Sequence, residues 1–326
     1  HINNVSGTAT MKLQQLRYAL EVYRHNLNVS EAADALFTSQ PGISKQIRLL
    51  EEELGIQIFI RSGKRVVSVS QPGKAVLEIS ERILRDVQNI KNIGSEFTDH
   101  DSGSLTIATT HTQARYALPK IVAEFVKNYP KVNLTIKQGS PSAIAQMVSS
   151  GEADLAIITE RIDDHPELGK LPCYEWNHAV IVPHDHPLLD CRNPLSLEDL
   201  ASFPLVTYEF AFNSGSSIAR TFNKAHIEQP DVALSAADTD VLKTYVRLGL
   251  GVGLMAKMAY DPVVDQDLQL IDAAHLFEPS PTWIALRTDT YLRGYAYDFI
   301  QMFAPKLTRE AVDRILYTPV VEDFSI

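Results

Sequence analysis

Cysteine is nearly missing from this chain: Cys173 and Cys191 are the only two in 326 residues. So few thiols exclude a disulfide-stapled secreted scaffold and favour a reducing, cytoplasmic setting. No run of about 18 apolar residues occurs, so no helix is expected to cross a membrane. The stretch before Met11, HINNVSGTAT, has no apolar core of the kind a signal peptide needs; residues 1–10 read as an expression scar with Met11 as the natural start. There is no G-x-S-x-G nucleophile elbow. His184 and His186 in PHDHP have no companion pair at metal-ligand spacing and read as a strand-end loop. GLGVGLMA, Gly249 to Ala256, matches G-x-G-x-x-A, but a helical pattern precedes it and a strand pattern follows. That order is the reverse of a dinucleotide-binding turn. No enzyme chemistry, metal or organic cofactor is therefore expected, and Cys173, followed by aromatics, reads as a buried thiol rather than a redox sensor.

What is present is unevenly spread. The formal net charge is −10, yet it is +2 over residues 11–70, −1 over 71–100 and −11 from 101 onward. A basic head on an acidic body can hold a polyanion at one end while the rest repels it. The length allows two or three domains, and the ordinary mixture of apolar and charged residues fits globular structure.

In the head, LQQLRYALEVYRH carries Leu13, Leu16, Leu20 and Tyr23 at helical spacing. NVSEAADALF predicts a second helix with Ser30 as its N-cap. SQPGISKQIRLLEEELG predicts a third, capped by Ser39, with Pro41 in the first turn and Gly55 at the end. Its buried face is Ile43, Ile47, Leu50 and Leu54. The charge order is inverted for a helix in water, because bases come early and Glu51, Glu52 and Glu53 come late. A helix-turn-helix explains the inversion, since its second helix presents its N-terminal residues to base edges and phosphates. Ser39, Gln40, Ser44, Lys45 and Arg48 are the candidate reading positions. IQIFIRSGKRVVSVS then predicts two short strands, a wing with Arg61, Lys64 and Arg65 at its tip for backbone or minor-groove contact. This winged helix-turn-helix is assigned to 11–69.

Residues 70–98 predict a connecting helix. Val76, Ile79, Ile83, Val87, Ile90 and Ile93 fall in steps of three and four, close to coiled-coil spacing. A seam that a small head cannot cover predicts a dimer through this helix, which also suits the reading of two half-sites.

From residue 102 to 326 strand and helix patterns alternate, predicting α/β structure with parallel sheets. Two lobes are expected: lobe I over about 102–172 and 277–326, lobe II over about 173–276. The crossings are placed near Leu171–Cys173 and Ala273–Ser280. QARYALPKIVAEFVKNYP is read as one helix broken at Pro119. Two lobes on two crossing strands form a cleft that closes on a small ligand. In TTHTQARY a strand end meets a helix start, the usual ligand position in open α/β sheets. Thr110, Thr112 and Gln113 offer neutral donors for a small anion, and Thr159 ends another strand facing the same cleft.

The stretch from Ser30 to Gly73 resembles the LysR-type transcriptional regulators in residues and spacing, and the layout follows that family to near the C-terminus. MKLQQLRY, IATTHTQARYALP, LPCYEWN and TDVLKTYVRLGLGVG carry a closer likeness to members that control sulfate assimilation and cysteine synthesis. One departure is Ser70-Gln71-Pro72-Gly73, where the family usually has Thr and Ala, and it concerns the start of the connecting helix. The resemblance implies a two-lobed effector domain like a periplasmic binding protein. Thr110, Thr112, Gln113 and Thr159 are then expected to bind sulfate, N-acetylserine or O-acetylserine, with Trp176 nearby. Asn213 stands where that site has a further threonine. It also implies promoter DNA and RNA polymerase as partners, and a homotetramer built from dimers. Competing readings are a LysR-type regulator of another pathway, a solute-binding protein with a helical head, and an enzyme using the cleft.

Overall fold

The computed structural model describes residues 10–159, 165–191 and 194–317. The expected expression scar, apart from Thr10, and the last residues of the expected effector domain lie outside them. The chain forms two compact units with the boundary between Ser95 and Glu96.

The first unit begins with α1 (Leu13–Arg24), α2 (Val29–Ala35) and α3 (Gln40–Leu54). Their core is made by Leu16, Leu20, Ile43, Ile47 and Leu50, all buried, together with Ile58 and Phe59 from the next segment. Leu54 is only half-buried. Asn28, not Ser30, caps α2: its side chain accepts from the Ser30 and Glu31 N–H groups at 3.1 and 3.2 Å. Asn and Ser are nearly equivalent caps, so the choice depends on where the chain enters the helix. Ser39 caps α3 as expected, accepting from Gly42 N–H at 3.2 Å.

The wing is β1 (Phe59–Ser62) paired antiparallel with β2 (Arg65–Val69). α4 (Gln71–Thr98) follows directly and runs for 28 residues, about 42 Å at about 1.5 Å per residue. Ser70 starts it, accepting from Gly73 N–H at 2.9 Å. Gly73 is required because a Cβ there would lie 2.2 Å from the Ile58 carbonyl oxygen. Along α4, Ile79, Ile83, Ile90 and Ile93 are exposed, Ile90 by 68%.

The second unit holds two five-stranded sheets. In the first, the order is β4 (Lys131–Gln138), β3 (Ser102–Thr109), β5 (Leu155–Ile158), β12 (Ser280–Arg287) and β6 (Leu168–Trp176). In the second, it is β11 (Leu268–Asp272), β7 (His178–Pro183), β10 (Val252–Ala256), β8 (Leu205–Tyr208) and β9 (Val232–Ala236). The sheets are mixed rather than purely parallel. β3 is parallel to β4 and β5, but β12 is antiparallel to both β5 and β6. β6 leaves lobe I and β12 returns to it, so the two run oppositely. The first crossing therefore comes at Asn177, later than expected, because Tyr174, Glu175 and Trp176 still pair with β12, with Cys173 at a bulge between them and Pro172.

Helices α5 (Pro119–Asn128), α6 (Pro141–Ser149), α10 (Gly294–Phe303) and α11 (Arg309–Tyr317) pack in lobe I. In lobe II they are α7 (Leu197–Ala201), α8 (Ser217–Ala225) and α9 (Thr239–Arg247). β11 and α11 were not identified from the sequence. The GLGVG segment is the tight turn from α9 into β10, with Gly249 at φ 75°, a conformation that suits glycine.

Candidate functional site

Two surfaces carry the chemistry. In the first unit, Lys45 and Arg48 are exposed on α3, one turn apart, and Lys64 and Arg65 are exposed at the wing tip. Ser44 is half-buried on the same helix. Gln40 accepts from Ser30 Oγ at 3.2 Å, which ties α2 to the start of α3. The Ser39 hydroxyl is engaged as the cap.

Arg61 differs from the rest. Its Nη1 lies 3.0 Å from Glu51 Oε2 and also donates to the Phe59 carbonyl at 3.3 Å. Glu51 is buried and accepts from Ile58 N–H at 2.9 Å and Phe59 N–H at 3.0 Å. Arg61 thus braces the base of the wing, while the exposed basic tip is Lys64 and Arg65. The sequence pattern did not single out Glu51 from its two neighbouring acids, Glu52 and Glu53. Its burial depends on β1 folding back onto α3.

The second surface is a cleft of about 800 Å³ between the sheets of the second unit. Thr110, Thr112, Gln113, Thr159, Trp176 and Asn213 all line it. The strand β3 ends at buried Thr109, whose hydroxyl donates to the Ile157 carbonyl at 3.1 Å, so Thr110 emerges at the strand's carboxyl end. The chain does not continue as a simple helix: Gln113–Ala117 forms a π-helical turn, with Leu118 N–H donating to Gln113 O at 3.0 Å, before Pro119 starts α5. Such turns occur often at functional sites because they re-aim side chains. Here the turn buries Gln113, whose carbonyl accepts from Tyr174 OH and whose amide faces Met258 Sδ at 3.9 Å.

The other residues of this segment reach across the cleft. Thr112 Oγ1 and Thr239 Oγ1 share a hydrogen bond of 2.9 Å, and Thr239 shares another of 2.9 Å with Tyr208 OH. His111 bonds Gln138 Oε1 at 3.3 Å and Asp240 Oδ2 at 3.0 Å. Tyr116 OH donates to Asp240 Oδ1 at 2.6 Å and accepts from Lys243 Nζ at 3.0 Å. Burial, reinforced by the Asp240 carboxylate, pushes the Tyr116 phenol well above its ordinary range, so it stays a donor. Burial alone would raise Asp240, but hydrogen bonds from Tyr116 and His111 outweigh it and its carboxyl lies below the usual value. Beneath this network Lys243 and Asp265 form a buried ion pair at 2.6 Å, which Arg247 joins at 2.8 Å. His111, Tyr116, Asp240 and Lys243 were not identified from the sequence.

Among the described residues lining the cleft, Arg220 is the sole Lys or Arg, and it faces Glu278 at 4.0 Å. An anion placed there meets hydroxyl, amide and backbone donors more than countercharge. Cys173 is half-buried, and burial pushes its thiol up to about 12, so it stays protonated and unreactive. No described helix is long and apolar enough to cross a membrane.

Residues 13–74 match the family of bacterial regulatory helix-turn-helix proteins, lysR family, and residues 98–308 match the LysR substrate binding domain. The chain is 50% identical over 306 residues to the HTH-type transcriptional regulator SsuR of Burkholderia cenocepacia, covering 94% of this chain and 99% of that protein. It is 51% identical over 304 residues to the HTH-type transcriptional regulator CysB of Haemophilus influenzae, covering 93% of each. A crystal structure of the cofactor-binding domain of the Cbl transcriptional regulator matches with a TM-score of 0.63 at 40% identity, over 67% of this chain and 95% of that one. The family resemblance read from Ser30 to Gly73 therefore holds along both units, and the chain belongs to the LysR family of transcriptional regulators.

Proposed function

We propose that this regulator acts in the cytoplasm on genes of sulfate assimilation and cysteine synthesis, binding their promoters through α3 and the wing and taking a small anionic effector in the cleft. N-acetylserine, O-acetylserine and sulfate are the effectors this reading favours. The observation that carries it is the cleft lining: hydroxyls and a buried amide converge where β3 ends, with one partly neutralised cation at the rim. The identity to SsuR and CysB supports the same pathway.

Coupling follows from the cross-lobe bonds. An anion on Thr110, Thr112 and Gln113 competes for the Thr112 hydroxyl, which now bonds Thr239 at the start of α9. Coupling of about 1–3 kcal/mol would change DNA affinity roughly 5- to 150-fold, and DNA must then alter effector affinity by the same factor. RNA polymerase is the partner through which bound protein would activate transcription.

The test is a gel-shift titration across salt on DNA selected from a random pool by the wild-type protein. Specific binding should weaken steeply as salt rises. Arg48→Ala should lose about 1–3 kcal/mol if Arg48 meets a base edge, and undiminished binding would remove it from the reading surface.

The seam on α4 supports a dimer, with a tetramer favoured for the full assembly. Ile90→Glu places a charge in that seam, and analytical ultracentrifugation should show a larger monomer fraction at equal concentration. An unchanged distribution would place the dimer contact elsewhere.

A further inference from the structure

Trp176, His178 and Ser217 line the cleft, and each carries a buried hydrogen-bonding atom without a partner among the described residues: Trp176 Nε1, His178 Nδ1 and Ser217 Oγ. Trp176 ends β6 and His178 opens β7, so they flank Asn177, where the chain first crosses between lobes. Their rings lie 4.7 Å apart, and His178 also meets Phe277 at 5.4 Å on the returning connection. Ser217 is the first residue of α8, on the lobe II wall. His178 is 5% exposed. Buried polar atoms seldom stay unpaired, because each loses its water without compensation.

The cleft is also larger than a single tetrahedral oxyanion needs; about 300–1,000 Å³ is typical of pockets that take a whole small organic molecule. The strand-end donors of lobe I provide for an anionic head. From this arrangement we infer that His178, with Trp176 and Ser217, is a specificity-determining residue that recognises an uncharged polar body on the effector and disfavours a second anionic group. This inference rests on the reading of the cleft as the effector site.

The charge of the wall supports the selection. Burial holds His178 down to about 4, so its imidazole is neutral near pH 7 and supplies hydrogen bonds without positive charge. Glu209, Asp238 and Glu278 line the same cleft, and Arg220, with its side chain 55% exposed, already faces Glu278. A second anion placed among these groups would lose hydration and meet mostly like charge. A hydroxyl, ester or amide group seated on this wall meets donors and acceptors that need partners once a side-chain shift uncovers them. The indole N–H can only donate, so the ligand must offer it an acceptor.

Calorimetry on the full chain tests this with two sulfonates of nearly equal size, isethionate, whose body ends in a hydroxyl, and sulfoacetate, whose body ends in a carboxylate. Wild type should bind isethionate about tenfold more tightly, the scale of one well-placed hydrogen bond. His178→Phe, which keeps a ring and removes both nitrogens, should erase that preference by weakening isethionate alone. His178→Gln, which restores a polar atom, should recover part of it, and thermal melting of both variants checks that they fold. Thr112→Ala should weaken both ligands equally through the shared head. Equal or tighter binding of sulfoacetate by wild type, a preference that survives in His178→Phe, or no binding of isethionate would each overturn the inference. If the His178 pattern appears while Thr112→Ala changes nothing, the inference stands and the placement of the anionic head at Thr112 fails instead.

Discussion

Glu51→Ala should destabilise the first unit by about 2–6 kcal/mol, because two buried backbone N–H groups lose their acceptor, each costing about 1–3 kcal/mol when left unpaired. Those groups are Ile58 N–H and Phe59 N–H, at the entrance to the wing. The same substitution leaves the half-buried Arg61 without its carboxylate. Hydrogen exchange on the full chain, followed at the β1 and α3 amides, should show the loss as faster opening of both elements. Glu52→Ala is the control: Glu52 is an exposed neighbour, and such a surface change should stay within about 0.5 kcal/mol. Equal protection in wild type and Glu51→Ala would refute the bracing role. DNA affinity should fall as well, since Lys64 and Arg65 project from the strands that Glu51 holds.

Lys243→Met should have a comparable effect in the second unit. It removes one partner of a buried ion pair, a change that costs about 3–5 kcal/mol when the remaining charge is uncompensated. Arg247 stays on Asp265 at 2.8 Å, so the lower end of that range is expected. The consequence extends to the cleft, because Lys243 also donates to Tyr116, and Tyr116 holds Asp240 across the lobes. Thermal melting should show a lower midpoint, and calorimetry a weaker response to any cleft ligand that requires the lobes in register.

The pH dependence carries a sign. Burial alone would raise Asp265, but hydrogen bonds from Lys243, Asp261 N–H and Arg247 outweigh it and hold the carboxyl below its ordinary value. A depressed carboxylate contributes stability above the unfolded value of about 3.9, and that stability is lost as pH falls through the lower folded value. In Lys243→Met the folded value moves back up. The variant should therefore lose less further stability than wild type when melting is compared between neutral and strongly acid pH. A loss equal to wild type's over that interval would show that Lys243 does not control the titration of Asp265.

Much of this protein can be read along the chain. The three head helices, the Ser39 cap, the wing and the long connecting helix follow from apolar spacing, capping residues and turn residues, all local signals. The basic head and acidic body follow from composition. Thr110, Thr112 and Thr159 are legible because strand ends in α/β sheets form ligand clefts by topology. Trp176 and Asn213 enter only through family likeness, since nothing in their local pattern marks them.

Tertiary structure decided what depends on partners distant in sequence. Tyr116 finds Asp240 124 positions away, and His111 finds the same carboxylate 129 positions away. No periodicity encodes such pairs. Glu51 differs from Glu52 and Glu53 only in the direction its side chain takes once β1 folds against α3. His178 is an unremarked residue in a β-strand until burial removes its water and the crossing of the lobes turns it toward the cleft. The alternation of strands and helices settles which elements form, through interactions a few residues long. Which charges become paired, and which donors remain for a ligand, is settled only when the two lobes meet.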